Sequence, residues 1–450
     1  MDESALETAG LDVAELSRAR VLTAWSAQAG LKPRVIERAA GSVLYGADGS
    51  RLLDFSSGLI NVNVGHAHPR VVAAIQEQAA KLTYVTPGFA TGVRARLADA
   101  LHAISPGRAL TKTFFTSGGS DANDSAILMA RSVTGRHKIL ASYRSYHGST
   151  YGAVTLSGDQ RRGPTEPGIP GVVHFFTPYP YRSPFRVPPD QEAQAALAHL
   201  EDVLLYEGAE SVAAIVLEPI TGSNGIIVPP DGYLQGVRQI CNRHGILLIL
   251  DEVMTGFGRT GAWFAANHWQ VAPDMMTIAK GITSGYVPLG AVMVNERVAG
   301  HFDHHVLGAG LTYSGHPLAC AAGLANLQAY REERLIERSA QLGAALGTRL
   351  QTLAERCPLV GEVRGKGLFW GIELVRDRTA RTPWTPWNQK GPGPMAALLA
   401  EIAAQGVYVY GRWNILLVAP PLVVTEAELE EGVAAIEAVL LRASEREAPG

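Results

Sequence analysis

Six short apolar runs, separated by longer stretches of helical character, dominate the middle of this 450-residue chain. From about Lys112 onward they are TKTFFT, HKILASY, AAIVLEPI, ILLILDEV, MMTIAK and GAVMV. Runs of this length, several of them flanked by glycine or proline, are typical of strands that are buried on both faces. The alternation therefore predicts an α/β domain in which crossover helices cover a mostly parallel sheet.

The pattern changes on both sides of this region, and at about 100–200 residues per domain the length fits two or three domains. We predict an N-terminal segment over residues 1–68, with a helix from Val13 to Gln28 and a small sheet whose hairpin turns at 47–50. Residues 69–319 are predicted to form the large domain. Residues 320–450 are predicted to form a smaller α+β domain, because their apolar pattern differs from the alternation before them.

Two local patterns support this division. The stretch HPRVVAAIQEQAAKL has apolar residues at helical spacing with Pro69 near its start, so it predicts a helix at the beginning of the large domain. In the small domain, LVGEVRGKGLFWGIELV is typical of antiparallel strands, and Thr425 is a candidate N-cap of a final helix.

Composition narrows the classes of function. Apolar residues make up 47% and charged residues 18%, which favours a globular enzyme, and the net charge of −3 without a basic block argues against nucleic acid. The 3 cysteines lack CxxC spacing, which argues against a disulfide framework and a metal site. The acidic, polar N-terminus does not resemble a signal peptide, and the apolar stretches are too short to span a membrane, so we expect a cytoplasmic protein.

Polar residues follow several of the predicted strands, at the edge where open α/β sheets bind ligands. Residues 117–120, Ser-Gly-Gly-Ser, lie between a strand and a helix, where backbone amides and the helix N-terminus can hold a phosphate. An ordinary β–α turn capped by serine or aspartate explains the same residues. Asp251 ends another strand and could hold a cationic ring nitrogen or a metal, although a helix cap or salt bridge explains it equally well.

The same segment contains Gly256–Gly261, which matches the G-x-G-x-x-G pattern of dinucleotide-binding folds. We give this match little weight, because Asp-Glu-Val-Met-Thr separates the glycines from the strand. The next candidate acid, Asp274, also precedes the following strand instead of ending it.

Tyr146 and His147 follow a third strand, where an aromatic ring can stack on a flat cofactor; a packed structural histidine is the simpler interpretation of His147 alone. Lys280 ends the run MMTIAK, and a lone lysine at the end of a buried strand is costly to desolvate. A lysine amine can bond an aldehyde, an aspartate can pair with a pyridinium nitrogen, and a cradle can hold a phosphate. Together these features predict pyridoxal phosphate.

With these residues in place, the chain resembles the class III, or omega, aminotransferases. The most specific match is ILLILDEVMTGFGRTGAWFA followed by PDMMTIAKGITSGYVPLGAVMV, and the similarity extends from LLDFSSGLINVNVGHAHPRV to VAPPLVVTEAEL. The resemblance implies an α/β fold of fold-type I, in which the N-terminal segment packs with the small domain and with a partner subunit. It also implies a homodimer with shared active sites; a tetramer stays open.

The resemblance implies roles for the residues already singled out. Lys280 would bond the cofactor's aldehyde and later move the substrate's α-proton, and Asp251 would pair with the ring nitrogen. Val253 and Tyr146 would pack on the two faces of the ring. The remaining implied cofactor contacts are Gly118, Gly119, Ser120, His147, Glu218 and, from the neighbouring subunit, Thr312. His147 and Arg259 receive supporting roles only.

Some positions depart from the family pattern or are open to two interpretations. Many members have Ser-Gly-Ser where this chain has Gly118-Gly119-Ser120, so a hydroxyl is missing and backbone amides must bind more of the phosphate. Met254 stands where many members have glutamine, which argues against the 4-aminobutyrate group. Arg412 lies near the register of a mobile arginine that binds substrate carboxylates; a solvent-exposed arginine explains it equally well.

Several segments, among them TAWSAQAG, SYRSYHGST and LTYSGHPLACAAG, are most similar to the taurine–pyruvate and omega-amino-acid–pyruvate branch. In that branch Leu59, Ile60 and Phe89 would line an apolar substrate pocket, Phe89 from the partner subunit; ordinary core packing is the alternative. We therefore expect a ping-pong transfer from a primary amine or omega-amino acid to a keto acid, with pyruvate as the acceptor.

Three alternatives stay open at this point. The first is another pyridoxal-phosphate enzyme of the same fold, such as an aminomutase, racemase or decarboxylase. The second is a nicotinamide dehydrogenase that uses Gly256–Gly261. The third is a non-catalytic binding protein, against which the pairing of Lys280 with Asp251 argues.

Overall fold

The structure, a computed structural model, describes residues 12–389, 391 and 393–447. The predicted N-terminal segment and small domain also include residues 1–11, 390, 392 and 448–450, which lie outside the described residues. In chain order the helices are α1 Val13–Arg20, α2 Ser57–Ile60, α3 Pro69–Lys81, α4 Gly92–Ile104, α5 Gly119–Thr134, α6 Tyr151–Leu156, α7 Glu192–Glu207, α8 Tyr233–His244, α9 Glu296–His301, α10 Pro317–Glu332, α11 Leu335–Arg356, α12 Gly393–Ala404 and α13 Glu426–Glu447.

The strands fall into three sheets. In chain order they are β1 Ile36–Ala40, β2 Val43–Gly46, β3 Arg51–Asp54, β4 Leu110–Thr116, β5 Lys138–Ser142, β6 Val172–Phe175, β7 Val212–Leu217, β8 Leu247–Asp251, β9 Met275–Ile278, β10 Gly290–Asn295, β11 Val360–Lys366, β12 Phe369–Asp377, β13 Thr382–Pro383, β14 Val407–Tyr408, β15 Tyr410–Arg412 and β16 Ile415–Val418.

The central sheet has seven strands in the order β4-β10-β9-β8-β7-β5-β6. Its neighbouring strands pair in parallel except where β10 runs antiparallel to β4 and β9. All six apolar runs form strands of this sheet, which confirms the mostly parallel α/β prediction. Residues of β7, β8 and β9 are buried throughout, as expected for strands covered on both faces.

The remaining strands form two smaller sheets. The strands β1, β2 and β3 form an antiparallel unit, and β14 from the C-terminal part of the chain joins it parallel to β3. The second sheet is built on β11, β12, β16 and β15, and β11 and β12 are antiparallel as predicted. The predicted boundary at residue 320 falls within α10, and the division into domains stays a prediction.

The ends of two helices differ in how well they were predicted. Thr425 caps α13 as expected, since its hydroxyl accepts the backbone N–H of Glu428 at 3.1 Å. The predicted helix from Val13 to Gln28 is wrong beyond Arg20. Residues of α1 are not buried, and the Gln28 side chain bonds the backbone of Thr23, so local side-chain bonds compete with further helix.

The segment Gly256–Gly261 has a packing role. A Cβ on Gly258 would lie 2.6 Å from Cδ1 of Ile336 in α11, and one on Gly261 would lie 3.0 Å from Ala340 in the same helix. A short 3-10 helix at Ala265–Trp269 follows, where a dinucleotide site requires a strand, a tight turn and an α-helix. The glycines therefore allow close approach of α11, and the dinucleotide alternative loses its structural basis.

Candidate active site

A cavity of about 330 Å³ opens at the carboxyl edge of the central sheet. The predicted cofactor-binding residues that line it are Gly118, Gly119, Ser120, Tyr146, His147, Glu218, Asp251, Val253 and Lys280. They come from the segments that follow β4, β5, β7, β8 and β9, whose carboxyl ends share one edge. The parallel strands are therefore the reason that residues distant in sequence meet here.

The floor of the cavity at one end is the turn between β4 and α5. The helix begins at Gly119 and runs for 16 residues, so its first backbone amides and its partial positive charge point at the cavity. Space is tight: a Cβ on Gly119 would lie 3.0 Å from both methyl groups of Val253, and one on Gly148 would lie 2.3 Å from the hydroxyl of Ser120. This turn suits a phosphate held by backbone amides.

Asp251 is oriented by three donors. Its Oδ2 lies 2.8 Å from Nδ1 of His147 and accepts Nδ2 of Asn123 at 2.8 Å, while Oδ1 accepts the backbone N–H of Val253 at 3.0 Å. Asn123 is itself fixed, because its amide oxygen accepts the hydroxyl of Thr277 at 2.9 Å. The carboxylate is 4% exposed and borders the cavity, so it can pair with a cationic ring nitrogen there.

Two titratable groups beside Asp251 have shifted pKa values. Burial alone lowers the pKa of His147, but the hydrogen bond and charge of Asp251 outweigh it and raise that pKa above its ordinary value. Burial raises the pKa of Glu218 to about 7. The carboxyl of Glu218 accepts backbone N–H groups of Tyr146 at 3.0 Å and Gly222 at 2.7 Å, which fixes the segment that carries Tyr146.

Lys280 lies just beyond the end of β9, with a backbone φ of 43°. Residues other than glycine are uncommon in this left-handed region, and those that adopt it are concentrated at functional sites. Burial lowers the pKa of Lys280 to about 8, with Arg161 and Arg259 acting in the same direction and Asp251 and Glu218 opposing them. A larger fraction of the amine is therefore neutral, and nucleophilic, near pH 8 than in an exposed lysine.

A second cavity of about 660 Å³ adjoins the first and shares Tyr146, Ser223, Met254 and Lys280 with it. Leu59, Ile60 and Arg412, three of the four predicted substrate residues, line this second cavity. The residues that line it and that the sequence did not indicate include Trp25, Arg161, Ser223 and Tyr410. We call it the substrate cavity.

Two arginines border the substrate cavity on one side. The guanidinium of Arg161 lies 3.7 Å from the centre of the Tyr146 ring, a cation–π contact. Arg412, at the end of β15, is 14% exposed in its side chain and lies 4.0 Å from the ring centre of Trp413. Both arginines reach the same buried carboxylate, that of Asp159. The cavity therefore combines an apolar wall with groups that can bind an anion.

Two predicted residues lie away from both cavities. Phe89 is 63% exposed and Thr312 is also exposed; the backbone carbonyl of Thr312 accepts the hydroxyl of Tyr84 at 2.9 Å. Neither side chain lines the cofactor cavity or the substrate cavity of this chain. Their assignment to a neighbouring subunit's site stays a prediction.

Arg259 is fully buried and has no carboxylate partner among the described residues. It donates to Ser57 and Asn63 of the N-terminal segment and to the carbonyls of Leu368 and Pro420. It thereby joins the N-terminal segment, the central sheet and the C-terminal part of the chain. This accounts for its place in the motif without a contact to the cofactor cavity.

Two features are absent from the described ranges, 12–389, 391 and 393–447. These ranges contain no cluster of three or more histidine, cysteine, aspartate or glutamate side chains that could hold a metal ion. Likewise, none of the helices in those ranges has the length and apolar character needed to cross a bilayer.

The chain is similar to known proteins over most of its length. The family model for class III aminotransferases matches residues 25–440. The putrescine–pyruvate aminotransferase of Pseudomonas aeruginosa is 37% identical over 416 residues, which cover 88% of each chain. The taurine–pyruvate aminotransferase of Rhodobacter capsulatus is 37% identical over 435 residues, which cover 91% of this chain and 92% of that protein. The taurine:2-oxoglutarate aminotransferase of Bifidobacterium kashiwanohense, solved with pyridoxal phosphate and glutamate, is 42% identical with a TM-score of 0.94, covering 97% of this chain and 98% of its own.

The fold and the cavity define a fold-type I transferase that depends on pyridoxal phosphate. Within that class, the chain belongs to the class III aminotransferases. It is therefore an enzyme that takes an amine and a keto acid as substrates, which confirms the resemblance seen in the sequence.

Proposed function

We propose that this transaminase takes the amino group of an omega-amino acid, such as β-alanine or taurine, and passes it to pyruvate in a ping-pong reaction. The observation that carries the proposal is the presence of Arg161 and Arg412 in the same cavity as Lys280. A guanidinium suits a carboxylate or sulfonate, and an acid at the far end of a short donor would place the amine toward Lys280.

The arginines also distinguish between donors named for the relatives. The donor in the name of the Pseudomonas relative, putrescine, carries a second amine where taurine carries a sulfonate. A cationic far end would be repelled by the positive charge that the two arginines retain after pairing with Asp159. This chain is therefore proposed to prefer acidic donors over diamines.

In the proposed reaction, bound pyridoxal phosphate supplies an aldehyde that captures the amino group and a ring that accepts electrons. Lys280 holds the cofactor and, once displaced by substrate, moves a proton from the substrate's carbon on its ε-amine. Asp251 holds a proton on the ring nitrogen, and His147 and Asn123 orient Asp251. Tyr146 and Val253 would contact the two faces of the ring.

The remaining roles concern the phosphate and the second subunit. The backbone amides of Gly118, Gly119 and Ser120 are proposed to bind the phosphate, aided by Thr312 of the partner subunit. Phe89 would likewise contribute to the partner's substrate cavity, so the functional unit is proposed to be a homodimer. We also propose a cytoplasmic location, supported by three buried cysteines that form no disulfide in the described residues.

The acceptor is the least constrained substrate. Two relatives are named for pyruvate, and a third is named for 2-oxoglutarate. Pyruvate is proposed because it presents one carboxylate to a pair of arginines of which one is already held by Asp159. The second candidate, 2-oxoglutarate, is favoured by the presence of two guanidinium groups.

The test measures alanine formed from pyruvate by the protein loaded with pyridoxal phosphate. β-Alanine, taurine, putrescine and propylamine are compared as donors. The proposal predicts parallel double-reciprocal plots, as expected of ping-pong kinetics, and the highest kcat/KM for β-alanine or taurine. Amino acid that is isomerised or decarboxylated without alanine formation would instead identify an aminomutase, racemase or decarboxylase.

A further inference from the structure

We propose that Asp159, which lies behind the substrate cavity, determines specificity by cancelling one of the two guanidinium charges. The arginine pair then presents one net positive charge and selects substrates with one anionic group over those with two. This inference rests on the proposed binding of acidic substrates in that cavity.

The side chain of Asp159 is completely buried and is held closely by Arg161. Its Oδ1 accepts the backbone N–H of Arg161 at 2.8 Å and Nε at 3.0 Å, and its Oδ2 accepts Nε at 2.9 Å and also Nη2. Asn224 donates Nδ2 to the same Oδ2 at 2.9 Å. The carboxylate therefore has a fixed position and a close, bidentate ion pair with one guanidinium.

Arg412 interacts more weakly with the same carboxylate. Its Nη2 lies 3.4 Å from Oδ2 of Asp159, the one contact between the two side chains. Arg161 is thus neutralised at close range, whereas most of the charge on Arg412 remains available to a ligand. The charged side chains among the described residues that line the cavity are Arg161, Arg412 and Lys280, with no carboxylate among them.

Asp159 is ionised at neutral pH in this setting. Burial by itself raises its pKa, but the hydrogen bonds and charge of Arg161, with a contribution from Arg412, outweigh burial and lower that pKa below the ordinary value. Replacement by asparagine removes one negative charge while preserving the shape of the side chain. Asparagine also keeps the ability to cap the short helical turn at 160–165, because it can accept the same backbone N–H.

Asp159→Asn should therefore shift the binding preference toward dianions. Simple disruption of the site would not produce a shift in this direction. With Asp159→Asn the arginine pair carries two positive charges, and Coulomb attraction grows more for a dianion than for a monoanion. If the substitution only disordered the arginines, both kinds of acid would bind more weakly. The ratio of their affinities therefore separates a charge effect from a structural one.

The experiment uses two unreactive acids of equal chain length, glutarate with two carboxylates and pentanoate with one. Their dissociation constants are measured by calorimetry on the protein loaded with pyridoxal phosphate. In Asp159→Asn, the affinity for glutarate relative to pentanoate is expected to rise about tenfold over the wild type. Asp159→Glu keeps the charge and is expected to retain the wild-type ratio.

Asp274→Asn is the matched control. Asp274 is also buried, pairs with Nη1 of Arg238 at 2.7 Å and accepts a backbone N–H from Leu248 at 2.8 Å, but it lies at the opposite edge of the sheet. Its substitution is expected to leave the ratio unchanged. If Asp159→Asn does not fold, Arg161→Gln tests the same idea in reverse, since Asp159 would then neutralise Arg412 and the ratio would fall.

An unchanged ratio in a folded Asp159→Asn protein, or an equal change in Asp274→Asn, would overturn the role of Asp159 and leave the proposed function standing. Failure of both acids to bind the wild-type protein would overturn both proposals together. The two failures are therefore distinguishable.

Discussion

The two ends of the joined cavities are built in different ways. The cofactor end takes its polar groups from the carboxyl ends of β4, β5, β7, β8 and β9, which one parallel sheet holds at a single edge. The substrate end takes Arg161 from a short helical turn, Arg412 from the end of β15 and Trp25 from the irregular segment after α1. The groups proposed for the chemistry therefore lie at strand ends of one sheet, while those proposed for selectivity lie on segments outside that sheet.

This difference implies that the two ends can be changed separately. Substitutions at the cofactor end are expected to abolish reaction with every donor, because all donors use the same proton transfers. Substitutions at the substrate end are expected to change which donor is used, because only acidic donors contact the arginines.

Lys280→Ala should have the largest effect. Loss of the ε-amine removes both the cofactor's anchor and the group that moves the proton, so kcat should fall at least about 10⁴-fold with β-alanine and propylamine alike. Steady-state kinetics with both donors checks this. Lys138→Ala, which removes a lysine paired with Glu207 away from both cavities, is the control and should be nearly silent. Substantial activity in Lys280→Ala would break the assignment of the cofactor end.

Arg412→Leu should separate the two ends. It removes the less neutralised guanidinium, so KM for β-alanine should rise by roughly 10- to 100-fold, while kcat/KM for propylamine changes little. Initial rates at varied donor concentration measure both values. Arg442→Leu, at an exposed position of α13, is the control and should leave the kinetics with both donors unchanged. Equal losses with the two donors would mean that Arg412 supports the fold and does not select the donor.

Cofactor uptake should depend on pH through Lys280. Only the neutral amine attacks an aldehyde, and burial lowers the pKa of Lys280 to about 8, so the uptake rate should rise with pH and level off above about 8. Stopped-flow absorbance of cofactor-free protein mixed with pyridoxal phosphate gives this profile. A midpoint near the ordinary lysine value of 10.5 would contradict it.

The pH profile of cofactor uptake also tests whether the substrate end influences the cofactor end. The charge of Arg161 is one of the causes that lower the pKa of Lys280. Arg161→Gln should therefore move the midpoint upward, by less than about one pH unit, because burial is the larger cause. A midpoint that moves down would contradict this coupling.

Trp387→Ala should have the smallest effect. The Trp387 and Trp413 rings lie 3.7 Å apart, and Trp387 also lies 3.9 Å from the guanidinium of Arg144. This packing supports the turn that follows Arg412, so its loss should raise KM for β-alanine about threefold and leave cofactor uptake unchanged. A change in the rate of cofactor uptake without a change in KM for β-alanine would show that Trp387 supports the cofactor end and not the substrate end.

The cofactor end could be predicted from the sequence because each of its residues follows a strand that the apolar pattern reveals. Once Asp251 and Lys280 are placed at strand ends, the parallel sheet brings them together without further information. The N-terminal helix was overextended because side-chain bonds to the backbone after Arg20 compete with helix. Strand β6 was not predicted, since it has only four residues, Val-Val-His-Phe, with a histidine that interrupts the apolar run.

The substrate end could be predicted only in part. Arg412 was indicated by resemblance, but Asp159 and Arg161 lie in a stretch whose composition resembles an ordinary polar loop. The importance of Asp159 depends on hydrogen bonds from Asn224 and Arg412, which are 65 and 253 positions away from it in the chain. Asn123 was missed for the same reason, since its partner Asp251 is 128 positions away. Such long-range hydrogen bonds leave no local periodicity.

The most direct test of this account is the selectivity of the wild-type protein between β-alanine and propylamine. The two amines are similar in length and differ in the carboxylate that the arginines are proposed to bind. We predict that kcat/KM for β-alanine exceeds that for propylamine by about 100-fold or more, with pyruvate as the acceptor. Equal values, or a preference for propylamine, would contradict the claim that Arg161 and Arg412 select the donor.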